Sequence, residues 1–344
     1  MNSDIKNIMV MRLDQLGDII LTVPALRTIR ETFPRAKIHT LVPESFSDIR
    51  GINKYSDVVL GFEKENFLNT VLELRKTKFD LAVDFLSRAD NLSAVIMGLI
   101  RAEEKLSFNV GLRRLVLNRR FNLENKDLYE VDITFKLLES IGIKGTSKEL
   151  ELDFEEKDKI SIDSYLGKKG VNLEDNLIGI QTMAKTDIKA WPVEKFVELT
   201  KALLSRYPVK IVLTGSSSER ERIEENFKAL SGDRVILAAG DITLNQLTAL
   251  MGRFKVFISN NTGPMHIAAA LGTPLLLING YSSILRWGPH TGNNFVVKKD
   301  YPCAPCEFTR SGICMYNDYR CINDITVDEV LDGFKNLWES RVSV

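Results

Sequence analysis

The chain has 344 residues, enough for two domains, because a single hydrophobic core rarely grows past roughly 250 to 300 residues. Lysine plus arginine and aspartate plus glutamate each total 46, so no global charge points to nucleic acid, and 44% hydrophobic residues suit a well-packed soluble protein. The first residues lack the basic, apolar and small-residue succession of a secretory signal. The most apolar internal stretch, 268–280, is broken by Gly272 and Pro274 and falls far short of the roughly 20 residues that span a bilayer, so a cytoplasmic location is expected.

In chain order, β-rich runs at 8–11, 37–42, 57–60 and 79–85 alternate with helical patterns at 19–33 and 67–76. A charged stretch, 149–159, interrupts the alternation. A second strand series follows at 175–182, 209–214, 235–237, 256–259 and 274–278, with helical patterns at 193–207, 217–230, 244–253 and 264–271, and a last one at 327–338. Strand–helix alternation predicts an α/β protein with parallel sheets. The expected division is 1–160, 161–325, and a C-terminal helical segment 326–344 free to pack back on the first domain.

Two segments repeat one arrangement of strand, polar glycine loop and helix. Asn260-Asn261-Thr262-Gly263-Pro264-Met265-His266 leads into a helix whose proline can take an early position, where its missing N–H costs nothing. The free N–H groups there and the helix dipole suit an anion, and diphosphate is the natural guest. Upstream, Arg12-Leu13-Asp14-Gln15-Leu16-Gly17-Asp18 ends its loop in a carboxylate. On residue chemistry alone, Asp18 could remove a proton from a hydroxyl, or simply cap the helix that follows, a use worth about 1 kcal/mol. Asp14 reads as an exposed loop residue. Thr214-Gly215-Ser216 closes another strand and can hydrogen-bond a nucleotide or cap the next helix. His266 is a ligand candidate or a packed histidine; His39 and His290 are weaker.

Together with Lys189-Ala190-Trp191-Pro192 and Phe79-Asp-Leu-Ala-Val-Asp-Phe85, these two motifs resemble glycosyltransferase family 9, the ADP-heptose:lipopolysaccharide heptosyltransferases, over residues 7 to about 289. The resemblance implies a GT-B fold of two Rossmann-like domains whose parallel sheets face an interdomain cleft, with the acceptor on the first domain and the nucleotide sugar on the second. It implies an inverting transfer from an ADP-sugar to a lipid-linked glycan, with Asp18 as general base and Lys189 at the donor phosphates; Lys185 is a weaker candidate. Thr182, Thr214, Gly215, Asn261, Thr262, Gly263, Pro264, Met265 and His266 are the further donor-site candidates. Where many relatives carry Asp before Thr-Gly, this chain has Asn261, which leaves the donor sugar open and keeps two alternatives in view: a transferase for a different nucleotide sugar, and an inactive nucleotide-binding relative. A nicotinamide oxidoreductase is disfavoured because the first loop lacks Gly-x-Gly-x-x-Gly.

On the acceptor side, Gly17 and the run holding Arg113, Arg114, Arg119 and Arg120 among apolar residues suit an anionic lipid and a peripheral contact with the inner membrane. An ordinary solvated loop explains that run as well. The four cysteines all fall in one segment as Cys303-x2-Cys306-x7-Cys314-x6-Cys321. That spacing fits a structural zinc site; an iron–sulfur cluster, disulfides and free thiols are the other readings. Catalysis is expected to need no cofactor beyond the donor substrate.

Overall fold

The computed structural model describes residues 5–125, 127–306 and 314–342. The chain divides into two compact units, the first ending at Leu152. In the first, strands β1 (Asn7–Met11), β2 (Lys37–Pro43), β3 (Val58–Phe62), β4 (Phe79–Asp84), β5 (Ala102–Phe108) and β6 (Arg119–Phe121) form one sheet in the order β3-β2-β1-β4-β5-β6. Every pairing is parallel. In the second, β7 (Asn176–Gln181), β8 (Val209–Thr214), β9 (Val235–Leu237), β10 (Phe254–Asn260), β11 (Leu275–Asn279) and β12 (Asn294–Lys298) form another all-parallel sheet, ordered β12-β11-β10-β7-β8-β9. Both are Rossmann sheets. Strand order reverses between β1 and β4 in one and between β7 and β10 in the other, and the carboxyl ends of such strands are where open α/β sheets bind ligands.

The central strands follow from composition. Ile8, Met9, Val10 and Met11 are all at most 1% exposed, as expected of a parallel strand covered on both faces. Helix α1 (Leu16–Thr32) is apolar nearly all round and correspondingly buried, with Pro24 inside it. Further helices in the first unit are α2 (Arg50–Asn53), α3 (Phe67–Arg75), α4 (Asn91–Leu99) and α5 (Glu130–Glu139). In the second, the described α-helices are α6 (Glu156–Lys168), α7 (Val193–Arg206), α8 (Arg220–Phe227), α9 (Leu244–Met251), α10 (Gly263–Ala270), α11 (Ile284–Trp287), α12 (Arg320–Asn323) and α13 (Val327–Val342).

Strands β5, β6 and β12 escape the sequence pattern because they lie towards sheet edges, where alternation is blurred by half-exposed charges such as Glu103, Glu104 and Lys105. The charged stretch 149–159 ends in helix α6, opened by a reciprocal cap between Glu155 and Asp158, and α6 packs on α9. The last helix has a definite home. Val330, Leu331, Phe334 and Leu337 are buried in the second unit's core, whereas the sequence reading leaves this segment free to pack back on the first domain; the Phe334 ring packs edge-on to Tyr207 at 5.0 Å.

Candidate functional site

The first site is built at the reversal between β1 and β4. Arg12 leaves the end of β1, is 2% exposed, and is raised in basicity because Glu130, Asp14 and Asp18 more than offset its burial. Its NH2 group donates to Asp18 Oδ1 at 2.9 Å and to Glu130 Oε1 at 2.9 Å, and NH1 donates to the Phe85 carbonyl just past β4. One guanidinium thus ties together the ends of both switch-point strands and the starts of α1 and α5. Asp18 is not the cap of α1: Gln15 holds that position, and Asp18 lies in the first turn with its carboxylate at the positive end of the helix dipole. Its Oδ2 accepts no hydrogen bond from the described residues.

Asp14 departs from expectation. It is 8% exposed, 3.3 Å from Arg12 Nε and bonded to Arg88 at 2.8 Å. Burial, the largest influence, holds its carboxyl above the usual range, with Asp18 adding to the effect and Arg12 and Arg88 opposing it. Gly17 is buried in the first turn of α1.

Of the four arginines expected to meet an acceptor, Arg113 is fully buried. It donates to Asp84 Oδ2 at 2.6 Å, to the Leu86 carbonyl at 2.5 Å, to Ser107 Oγ at 2.9 Å and to the Arg88 carbonyl. A guanidinium with this many internal partners is scaffolding: it fixes the loop after β4 that supplies the Phe85 carbonyl and Arg88. Arg119 is paired with Glu104 at 2.8 Å, while Arg114 and Arg120 are exposed.

The second site lies at the reversal between β7 and β10. Asn260, at the end of β10 and fully buried, accepts from the Trp191 N–H at 3.0 Å and donates to the Thr182 carbonyl at 3.2 Å, so one amide pins the exit of β7 and the Lys189–Trp191 segment to the strand. Trp191 is locked in turn by its indole N–H to the Ile325 carbonyl at 2.9 Å. Lys189 extends its ammonium 5.7 Å from the Tyr281 ring centroid, and its charge reaches His266. Thr262 has the backbone angles of a helix cap but makes no capping bond, and Pro264 sits in the first turn, which holds no acidic residue. Met265 and His266 are buried beneath that turn.

Two buried polar atoms here have no hydrogen-bond partner among the described residues, Thr182 Oγ1 and His266 Nδ1. His266 is pushed down to about 3, first by burial and then by Lys189 and His290, so it is a neutral imidazole. Other candidates turn inward. Thr214 donates to Gln181 Oε1 at 2.9 Å, and Gly215 is closely packed, since a Cβ there would come 2.7 Å from Ile223 Cδ1. Asn261, 6% exposed, donates to Asn279 Oδ1 at 2.9 Å, and Asn279 donates to the Ser282 carbonyl at 2.9 Å. Sequence reasoning missed Arg12, Glu130, Asn260 and Asn279. The first left a trace, an arginine directly ending an apolar strand.

All four cysteines belong to the second unit. None of them is in a disulfide, and among the described residues no group of three or more His, Cys, Asp or Glu side chains is placed to hold a metal ion. Cys321 sits on α12 against Gly280, its thiol pushed up to about 11 by burial and by Cys306, Cys303 and Cys314, whose charges reach it. Residues 307–313, between Cys306 and Cys314, lie outside the described residues.

The family model of glycosyltransferase family 9 (heptosyltransferase) matches residues 69–313, more than half of the chain. The chain belongs to glycosyltransferase family 9. This glycosyltransferase is 25% identical over 292 residues to lipopolysaccharide heptosyltransferase 3 of Escherichia coli, covering 80% of this chain and 84% of that one. Its fold matches the crystal structure of a family 9 glycosyltransferase from Veillonella parvula DSM 2008, with a TM-score of 0.83, 22% identity and 99% of both chains covered. It also matches the structure of E. coli ADP-heptose lipopolysaccharide heptosyltransferase II, with a TM-score of 0.80, 22% identity, and 97% of this chain and 99% of that chain covered. The GT-B class expected from sequence therefore holds: two Rossmann-like units, each with six parallel strands.

Proposed function

We propose that this glycosyltransferase moves a heptose from ADP-heptose to an inner-core sugar of a lipopolysaccharide precursor, with inversion at the anomeric carbon. The observation that carries the reading is the state of Asp18: one carboxylate oxygen held by Arg12 at a sheet switch point, the other without a hydrogen-bond partner among the described residues. In this reading Oδ2 takes the proton of the acceptor hydroxyl as that oxygen attacks the anomeric carbon, and the bond to the departing ADP breaks on the opposite face. Arg12 does not touch the substrate. It keeps Asp18 aimed while Glu130 and the Phe85 carbonyl keep Arg12 in place, so no reorganisation is needed during transfer.

The second unit supplies the electrophilic side. The Lys189 ammonium and the positive end of the α10 dipole stabilise the diphosphate as negative charge grows on it. Neutral His266 can contribute a hydrogen bond there but no charge. The printed names of the relatives support heptose and lipopolysaccharide as donor sugar and acceptor class.

Asn261 favours a second reading, a different nucleotide sugar. A neutral amide turned towards Asn279 offers the donor no carboxylate. Incubating the enzyme with ADP-heptose, other ADP-sugars and UDP-sugars, with lipopolysaccharide core acceptors, separates the two. Transfer from ADP-heptose alone, with the new linkage of opposite anomeric configuration, is the expected result. Preference for another nucleotide sugar overturns the donor assignment, and retention of configuration overturns the mechanism.

A further inference from the structure

Exposed apolar surface in the first unit is concentrated on one face. Leu68 and Leu72 on α3, Val95 and Leu99 on α4, and Leu112 and Leu115 on the turn Gly111–Leu115 are all exposed, Leu68 to 72% and Leu115 to 73%. Those three elements adjoin. Arg75, ending α3, donates to the Leu99 carbonyl at 2.7 Å, and a Cβ on Gly98 of α4 would come 3.2 Å from Val116 Cγ1, just past the turn.

On each helix the exposed pair is spaced i, i+4, which makes one outward stripe, while Val71 and Leu74 on α3 and Ala94, Ile96 and Met97 on α4 face the core. Each helix is thus apolar on two sides, which burial against its own sheet does not explain, and clustered exposed apolar side chains mark an interaction surface. Exposed basic groups border it: Arg75, Lys76, Arg101 and Arg114, against Glu65 and Glu73, with Glu73 paired to Lys76 at 2.5 Å. No described helix is long and apolar enough to cross a membrane.

We propose that this face of α3, α4 and the 111–115 turn docks on an anionic lipid bilayer, the leucines entering at headgroup depth and the arginines lying against lipid phosphates. The proposal rests on the lipid-linked acceptor suggested above and names the surface that would bring the enzyme to it. It also moves the lipid contact away from Arg113, which is internal, and Arg119, which is paired.

The test is flotation of the full chain with phosphatidylcholine vesicles with and without phosphatidylglycerol, alongside a transfer assay on a delipidated, water-soluble acceptor. The expected result is binding to the phosphatidylglycerol vesicles that weakens with salt. Leu68→Ser with Leu72→Ser, and separately Leu115→Ser, should each lower the bound fraction about tenfold while transfer to the soluble acceptor and the thermal midpoint stay unchanged. Absence of vesicle binding, equal binding of the variants, or equal binding to neutral vesicles overturns the proposal. So does a wild-type dimer that these substitutions dissociate, because a second copy is then the occupant. Flotation needs no turnover and the soluble assay needs no lipid, so failure of the docking surface is distinguishable from failure of the transfer reading.

Discussion

Helices α1 and α10 each begin close behind a switch-point strand of a Rossmann sheet, α1 after the first strand of its unit and α10 after the fourth strand of the other, and their first turns are electrostatic opposites. The first turn of α1 carries its own anion, Asp18, inside a cluster in which Arg12 serves three carboxylates. That of α10 carries no acidic residue, is opened by a proline, has no side-chain cap, and is surrounded by amides, hydroxyls and a neutral imidazole. A helix start whose dipole is already matched by a fixed carboxylate has a base to offer; one left unmatched has room for a foreign anion. One fold repeated in the chain therefore presents two switch points of opposite electrostatic character, the pair of roles that the proposed displacement assigns to them.

The largest expected effect comes from removing the charge at α1. Asp18→Asn keeps the shape and can still accept from Arg12, so folding should survive, while transfer falls about 10³-fold, within the range for loss of a general base. Steady-state rates with saturating donor and acceptor check this. A rate near wild type would reduce Asp18 to a dipole-matching residue and dissolve the contrast between the helices.

The converse change is at the second site. Lys189→Ala leaves the α10 start intact but removes the nearby cation, and should cost about 10²-fold in kcat/KM for the donor, comparable to losing one donor that stabilises developing charge. Calorimetry with ADP provides the check. If ADP binding and turnover are both unchanged, Lys189 lies outside the site.

The halves differed also in how far the sequence disclosed them. The order of strands and helices was legible because period-2 and period-3.6 patterns are local, and the glycine loops at 12–18 and 260–266 announced both switch points. What stayed hidden depends on contacts between distant residues. Glu130 is 118 residues from Arg12, and nothing local marks it as the buried partner that holds the guanidinium. Asp14, polar and two residues past a strand, reads as exposed until Arg12 and Arg88 are seen on either side of it. Arg113 misleads in the opposite sense: an arginine in a basic run looks solvated, and only Asp84, Ser107 and two backbone carbonyls reveal why it is inside.

Arg12→Lys sharpens the comparison at intermediate scale. Lysine keeps the charge but as a single point donor, and cannot reach Asp18, Glu130 and the Phe85 carbonyl in one planar fork. With Asp18 held less firmly, kcat should fall about tenfold while the KM for the donor, which the proposed function places on the second unit, stays put. A change confined to donor KM would mean that Arg12 does not work through Asp18.

The smallest effect concerns the neutrality of the second site. His266 is pushed down to about 3 in the folded chain against an ordinary value of 6.5, so between those values the unfolded chain binds a proton that the folded one refuses. The sign is therefore a loss of stability as pH falls from 6.5 towards 3. His266→Gln, which carries no titrating group, should shrink the drop in unfolding free energy between pH 7 and pH 5.5 by about 1 kcal/mol, read from denaturant midpoints at the two pH values. The same substitution should leave the pH dependence of transfer above pH 6.5 unaltered, because the imidazole is already uncharged there. A transfer profile that changes shape in that range would mean His266 is protonated in the working enzyme, and the α10 start would then hold its diphosphate with a second charge instead of dipoles and Lys189.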